Sequence, residues 1–401
     1  MSDLVLAARV RRTAPSPIAA AARRAAELRL AGQDIIDLTI GEPDFDTPDY
    51  IKTAAKEAID AGLTKYTAIP GTLDLRRAIS DSLFKDNGVR YEPTQIIVSN
   101  GAKQVLYLIL GALVDRGDEV IIPTPYFPSY PEMVNIFGGT SVFVGGDEGN
   151  NFKISPTALA GALTPKTKIL LLNSPNNPGG GIYDASELRR LAEVLAGYPR
   201  VFVVSDEIYQ HVQFGAGAPS LTAAAPALID RSLIVNGVAK TYAMTGWRIG
   251  YGAGPAAVVT AMSTLQSHVS SGPSSISQAA SAAALRGDQS FLKEWIQSYE
   301  VRRDLGVRLL NEIPGVHCQC PDGAFYLYAN CSGILGKKSP SGSVVRTDSD
   351  LADYFLDSAG VAVVPGVAYG RSPFFRVSVA ASIAEITQGC RRLRMAVAQL
   401  D

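Results

Sequence analysis

The stretch that decides the fold is residues 236–252, "NGVAKTYAMTGWRIGYG". Lys240 stands there at the end of the apolar run "SLIVNGVA", and the glycine-spaced "GWRIGYG" beyond it carries Trp247 and Arg248. Lysine is seldom buried, so Lys240 on its own reads as a solvated loop residue. Its surroundings overturn that reading, because other chemically capable residues also stand at the ends of apolar runs.

Working outward, short β-branched runs recur from about residue 96 to residue 253: "QIIVSNG", "DEVIIPTP", "TSVFVGG", "TKILLLNSP", "RVFVVSDE", "SLIVNGVA" and "WRIGYGAG". Several of the gaps between them are long enough for a helix. Continuous apolar strands alternating with helices predict an α/β fold with a largely parallel central sheet covered on both faces. The 401-residue length exceeds what one core sustains, so two units are expected. Residues 48–290 are assigned to a large α/β domain. Residues 1–47 and 291–401 are assigned to a smaller, discontinuous α+β domain, from the helix-like "AAAARRAAELRLAGQ" and "FLKEWIQSYEVRRDLGVRLLNEI" and the alternating "PGVHCQCPDGAFYLYANCSG". "GKKSPSGSVVRTD" reads as an exposed loop.

Composition narrows the function classes. With 47% hydrophobic and 19% charged residues and a net charge of −1, the chain has material for a core and no basic field for nucleic acid or a membrane surface. "RVRR" and "RRLRM" read as solvated helix faces. The longest apolar run, "VLYLILGALV", is about half a bilayer span. The N-terminal stretch has no apolar segment followed by a cleavage site, so a cytoplasmic protein is expected. The 4 cysteines, Cys318, Cys320, Cys331 and Cys390, lack paired spacing and read as reduced, and the 3 histidines are too scattered for a metal site.

In open α/β sheets ligands bind beyond the carboxyl ends of the strands, and the candidate residues collect there. "IIVSNGAKQ" turns from strand to helix at Gly101, Ala102 and Lys103, whose backbone N–H groups can cradle a phosphate. The P-loop and dinucleotide patterns are both missing. "RVFVVSDEIY" ends a strand at Asp206, which is either a helix cap or the partner of a buried cation, with Tyr209 three residues on. "LLLNSPNNPGGG" ends another strand in turn residues that include Asn177. A lysine, an aspartate, a tyrosine, an asparagine, a phosphate-type turn and an arginine at strand ends are together the parts needed to bind pyridoxal 5′-phosphate.

The chain resembles the fold-type I, class I aminotransferases, in the branch of the bacterial aspartate and prephenate aminotransferases. The likeness runs nearly end to end through "SPI", "LTIGEPDFDTP", "KYTAIPG", "GAKQ", "PTPYFPSYPEM", "NSPNNP", "VSDEIY", "VNGVAKTYAMTGWRIGYG", "GVAVVPG" and "FRVSVA". The resemblance implies that Lys240 forms the Schiff base and shuttles the proton, Asp206 pairs with the pyridinium, and Tyr209 and Asn177 bond the phenolic oxygen. It further implies that Phe127 stacks on the ring, and that Arg248 with Gly101, Ala102 and Lys103 holds the phosphate. Tyr66 would reach the phosphate of a neighbouring subunit, making a homodimer part of the site. For substrate it implies Arg376 as the clamp on the α-carboxylate, helped by Gly41 and Asn177, with Lys103 on the distal carboxylate and Ser16 on a closing N-terminal segment.

The implied reaction is a ping-pong transfer of an amino group from an L-amino acid, with aspartate preferred, to 2-oxoglutarate; Lys240 has to be neutral for the proton transfer, so a lowered aldimine pKa is expected in a cationic, partly buried setting. Prephenate or aromatic substrates, and a β-lyase or synthase on the same scaffold, are the alternatives. A non-catalytic regulator is disfavoured because every cofactor-binding position is filled. The chain departs from the family pattern at Gly179, where threonine is usual, at Gly237, where many relatives have serine, and at Ala102, where glycine is common.

Overall fold

A computed structural model describes residues 5–146, 148–215 and 217–401. The seven apolar runs become the seven strands of one sheet, in the order Ile96–Ser99, Gly250–Ala253, Ser232–Gly237, Phe202–Asp206, Thr167–Asn173, Glu119–Thr124 and Thr140–Gly145. Every adjacent pair is parallel except the two made by Gly250–Ala253, which runs against both its neighbours.

The inner strands are largely apolar because both of their faces are covered, whereas the edge strand Thr140–Gly145 is mostly exposed or half-buried. Side chains alternate between faces along a strand. Ile96, Val98, Leu170, Leu172, Val203 and Ile234 accordingly enter one core cluster. Their neighbours Ile97, Ile169, Leu171, Val204, Leu233 and Val235 enter another. One face is closed by helices such as Leu73–Asn87 and Ala185–Ala196, and the other by Ala102–Leu113 and Ala256–Val269.

A second, antiparallel sheet has the order Val364–Pro365, Phe374–Ser378, Tyr326–Asn330, His317–Cys318. Beside it Ile36–Asp37 pairs in parallel with Val361–Ala362. Helices Phe291–Asn311 and Ile383–Val397 pack on this assembly, and its core draws on both chain ends, from Leu38 to Phe325, Phe375 and Ile386. Ile208, Tyr209 and Val212, which follow the strand ending at Asp206, are buried in that same core. The edge of the large sheet is thereby fastened to the second sheet where the candidate residues lie. The loop "GKKSPSGSVVRTD" is largely exposed, as expected.

Candidate active site

Every candidate residue except Tyr66 lines one cavity of about 540 Å³ at the carboxyl edge of the large sheet. Asp206 ends its strand opposite Asn173, is 4% exposed, and accepts hydrogen bonds at Oδ2 from the Tyr130 hydroxyl (2.7 Å) and at Oδ1 from the Ile208 N–H (3.2 Å). No helix begins there, so it is not a helix cap, and Tyr209 sits on a turn. Among the described residues no cation reaches salt-bridge distance of Asp206. Burial raises its carboxyl to about 6, against the pull of the Tyr130 and Ile208 hydrogen bonds and of Lys240. A buried acid in this state gains from a cationic partner.

Lys240 follows strand Ser232–Gly237 on a single helical turn and donates from Nζ to the Gly41 carbonyl. Burial lowers its ammonium to about 8; Arg376, Arg248 and Lys103 pull the same way, and Glu42 opposes them. The lowering has one physical cause, a dry and cationic setting.

The turn from strand to helix at residues 99–102 has the geometry of an anion cradle. Gly101 has φ of +86° and heads helix Ala102–Leu113 without a side-chain cap, leaving the first N–H groups of the helix without helical partners. Ala102 is already helical, so its side chain costs the turn nothing. A Cβ on Gly101 would overlap the Arg248 guanidinium, and a Cβ on Gly250 would overlap the Ala102 backbone. Both glycines therefore permit the close approach of the arginine, the turn and the neighbouring strand. Arg248 is held by the carbonyls of Thr245 (2.9 Å) and Asn100 (3.3 Å). It reaches this edge by preceding the antiparallel strand Gly250–Ala253, whereas the sequence reading had it at the end of a strand.

Arg376 is the most deeply buried large cation of the site, at 1% exposure. It donates from Nη1 to Asn177 Oδ1 (3.1 Å) and from Nη2 to the Thr39 carbonyl (2.6 Å), and its guanidinium lies 4.2 Å from the centroid of the Tyr326 ring. Its Nε is buried and unpartnered, and among the described residues no carboxylate pairs with it. Tyr209 and Tyr326 join hydroxyl to hydroxyl at 2.9 Å beneath it.

Lys103 stands 5.1 Å from the centroid of the Phe127 ring, its ammonium lowered by burial and by Arg248. Ser16 caps helix Pro17–Leu30 at the cavity rim, accepting from the Ala19 N–H. Tyr66 is 97% exposed and is not drawn into this site. Of the departures, Gly237 has little room for a larger residue, since its Cβ would lie 2.9 Å from the Ile249 carbonyl oxygen. At Gly179 the Phe152 ring stands 2.8 Å from where a Cβ would be.

Sequence reasoning missed Tyr130, Thr39, Asn173, Tyr326 and Gly250. Tyr130 stands three residues after Phe127 in "PYFPSYPEM", and Tyr326 in the alternating "AFYLYA", so both had a visible signal. Thr39 contributes a carbonyl, which any residue type could supply.

Residues 33–393 match the family described as aminotransferase class I and II. The chain belongs to that family. This aminotransferase is 48% identical, over 98% of its own length and 97% of the relative's, to an aspartate aminotransferase of Rhizobium meliloti. It is 47% identical, over 97% and 98%, to an aspartate/prephenate aminotransferase of Cereibacter sphaeroides. Among solved structures, an aspartate aminotransferase of Rhizobium meliloti superposes with a TM-score of 0.96 at 46% identity, covering 99% and 100% of the two chains. That of Thermus thermophilus with maleate gives 0.92 at 37%, covering 98% and 100%.

The fold is accordingly fold type I, and the enzyme is a transaminase that depends on pyridoxal 5′-phosphate. The residues present fit the cofactor. A lysine of lowered basicity, a buried acid without a cation and an anion cradle backed by arginine line one cavity, matching an aldehyde, a pyridine nitrogen and a phosphate. Among the described residues no helix is long and apolar enough to cross a membrane.

Proposed function

We propose that this transaminase moves the amino group of L-aspartate to 2-oxoglutarate by a ping-pong route. The observation that carries the substrate reading is the Arg376 guanidinium: fully buried, stacked on Tyr326 and free of any acidic partner, with its Nε unpaired. A buried cation in that state is complementary to an α-carboxylate, which arginine binds through paired N–H groups. Gly41 and Asn177 flank the same corner. Lys103 lines the same cavity beside Phe127, where an ammonium suits the distal carboxylate of a dicarboxylic acid. The Thermus thermophilus relative was solved with maleate, itself a dicarboxylate, which supports the same substrate class.

Pyridoxal 5′-phosphate, when bound, supplies an aldehyde that exchanges for the substrate's amino group and a ring that takes up the electron pair left at Cα. Gly101, Ala102, Lys103 and Arg248 would hold its phosphate, Asp206 its ring nitrogen, Tyr209 and Asn177 its phenolic oxygen, and Phe127 its ring face. Lys240 accepts the proton leaving Cα, a task suited to an amine whose basicity burial and neighbouring cations lower. Ser16, on the segment at the rim, helps to close the cavity against water.

The division into a 48–290 domain and a smaller one built from 1–47 and 291–401 is part of this proposal, supported by the separate cores of the two sheets. So is a homodimer in which Tyr66 completes a neighbour's phosphate site; a tyrosine 97% exposed, three residues after the exposed Leu63, supports a covered surface there. A cytoplasmic setting is supported by the four free cysteines. A second reading, in which prephenate or aromatic oxo acids also serve, is favoured by the Cereibacter sphaeroides relative named for both substrates.

The test is a single-turnover assay of the loaded enzyme with excess L-aspartate and no oxo acid. One oxaloacetate per bound cofactor, followed by glutamate once 2-oxoglutarate is added, is the expected result. Alanine and carbon dioxide in place of oxaloacetate would assign a lyase, and turnover with phenylalanine or arogenate but not aspartate would move the substrate.

A further inference from the structure

Asp206 is held in place by its main chain: its carbonyl accepts from Asn173 Nδ2 (3.0 Å) and from the Ser174 N–H (3.1 Å). The contact that acts on its charge is different. Tyr130, on helix Ser129–Phe137 and 2% exposed, donates its hydroxyl to Oδ2 at 2.7 Å. The titratable groups facing Asp206 are Tyr130, Lys240 after strand Ser232–Gly237, Tyr209 on the following turn and Glu207 next in the chain. Among the described residues only Tyr130 hydrogen-bonds the carboxylate with a side chain. Its ring also meets Phe127 edge-on, with centroids 5.6 Å apart, so one helix start carries both the ring-facing aromatic and the donor.

We propose that Tyr130 is a positioning residue that keeps the Asp206 carboxylate ionised and available to the cofactor's ring nitrogen. The inference rests on the cofactor roles proposed above. A carboxylate this deeply buried is driven to protonate, and a protonated acid offers no charge to a pyridinium. A phenol that donates to the ionised form opposes that drift, and its hydrogen bond is strengthened by the charge it meets.

The experiment compares the parent protein with Tyr130→Phe, which keeps the ring and its contact with Phe127. Each apoenzyme is titrated with pyridoxal 5′-phosphate from about pH 5 to about pH 8.5. Loss of one charge-assisted hydrogen bond is expected to weaken binding about tenfold on the acid side and to move the acid limb up by about one pH unit. The two affinities should converge above about pH 8, where Asp206 is ionised in both proteins. Titrations of Lys240 and of the cofactor are common to both and cancel in the ratio.

In an Asp206→Asn background the same tyrosine change should leave the affinity unaltered, since the group it acts on is gone. A loss of equal size at every pH, an equal loss in the asparagine background, or no loss at all would overturn the inference. Failure of the parent itself to take up pyridoxal 5′-phosphate would overturn the cofactor roles and this inference with them.

Discussion

Replacing Arg376 with lysine keeps a positive charge in the pocket but removes the planar fork. The guanidinium spends Nη1 on Asn177 and Nη2 on Thr39, yet each nitrogen has a second hydrogen, and Nε is wholly unpaired. Two parallel hydrogen bonds to a carboxylate are therefore available from a group that the fold already holds rigid. A hydrogen bond to a charged group is worth about 1.5–3 kcal/mol. Losing the pair, with partial recovery by the ammonium, gives about 3–5 kcal/mol, or about 10²- to 10⁴-fold in kcat/KM. Because the amino acid and the oxo acid both carry an α-carboxylate, the loss should be similar for L-aspartate and for 2-oxoglutarate, measured as separate half-reactions. A loss below about tenfold, or one confined to one of the two substrates, would refute the assignment of Arg376 to the shared carboxylate.

Three further outcomes are expected. In the apoenzyme, an amine-selective reagent should modify Lys240 with a pH midpoint near 8 rather than the ordinary 10.5, since the cause is burial among cations; a midpoint near the ordinary value would contradict this. Asp206 has a raised pKa, so its contribution to apoenzyme stability is complete below the unfolded value of 3.8 and lost as pH rises through about 6. Asp206→Asn should accordingly raise the melting temperature of the apoenzyme at pH 7.5, by up to about 3 kcal/mol in stability, while abolishing transamination; calorimetry would show it, and an unchanged or lower melting temperature would count against the burial penalty. Gly101→Val places a branched side chain at φ of +86° and against Arg248, so affinity for pyridoxal 5′-phosphate should fall about tenfold or more with the fold retained, as followed by titration and circular dichroism.

Much of this architecture was legible in the chain because period and burial write directly into residue choice. The centres of runs such as "VFVVSD" and "SLIVNG", residues 202–204 and 233–235, are apolar at every position, as a sheet covered on both faces demands, and each lies in a strand. Direction is not encoded in that way. Nothing in "GYGA" marks Gly250–Ala253 as running against its neighbours, so Arg248 was assigned to the wrong end of a strand although to the right edge of the sheet. Three-residue spacing would set Tyr209 on the face of Asp206 only if a helix began there, whereas the chain turns to bury Ile208, Tyr209 and Val212 in the second core. The Thr39 carbonyl left no trace, since a backbone acceptor needs no particular side chain.

The hydrogen bonds of Arg376 span 199 residues to Asn177 and 337 residues to Thr39. Contacts of such separation carry the largest chain-closure cost and form late. A chain emerging from its amino end can build the large sheet, and with it Lys240, Asp206 and the phosphate turn, before Arg376 exists to be placed. Tyr209, bonded to Tyr326 and buried in the second core, waits on the same late residues, so the carboxyl-terminal part of the chain finishes both walls of the cavity.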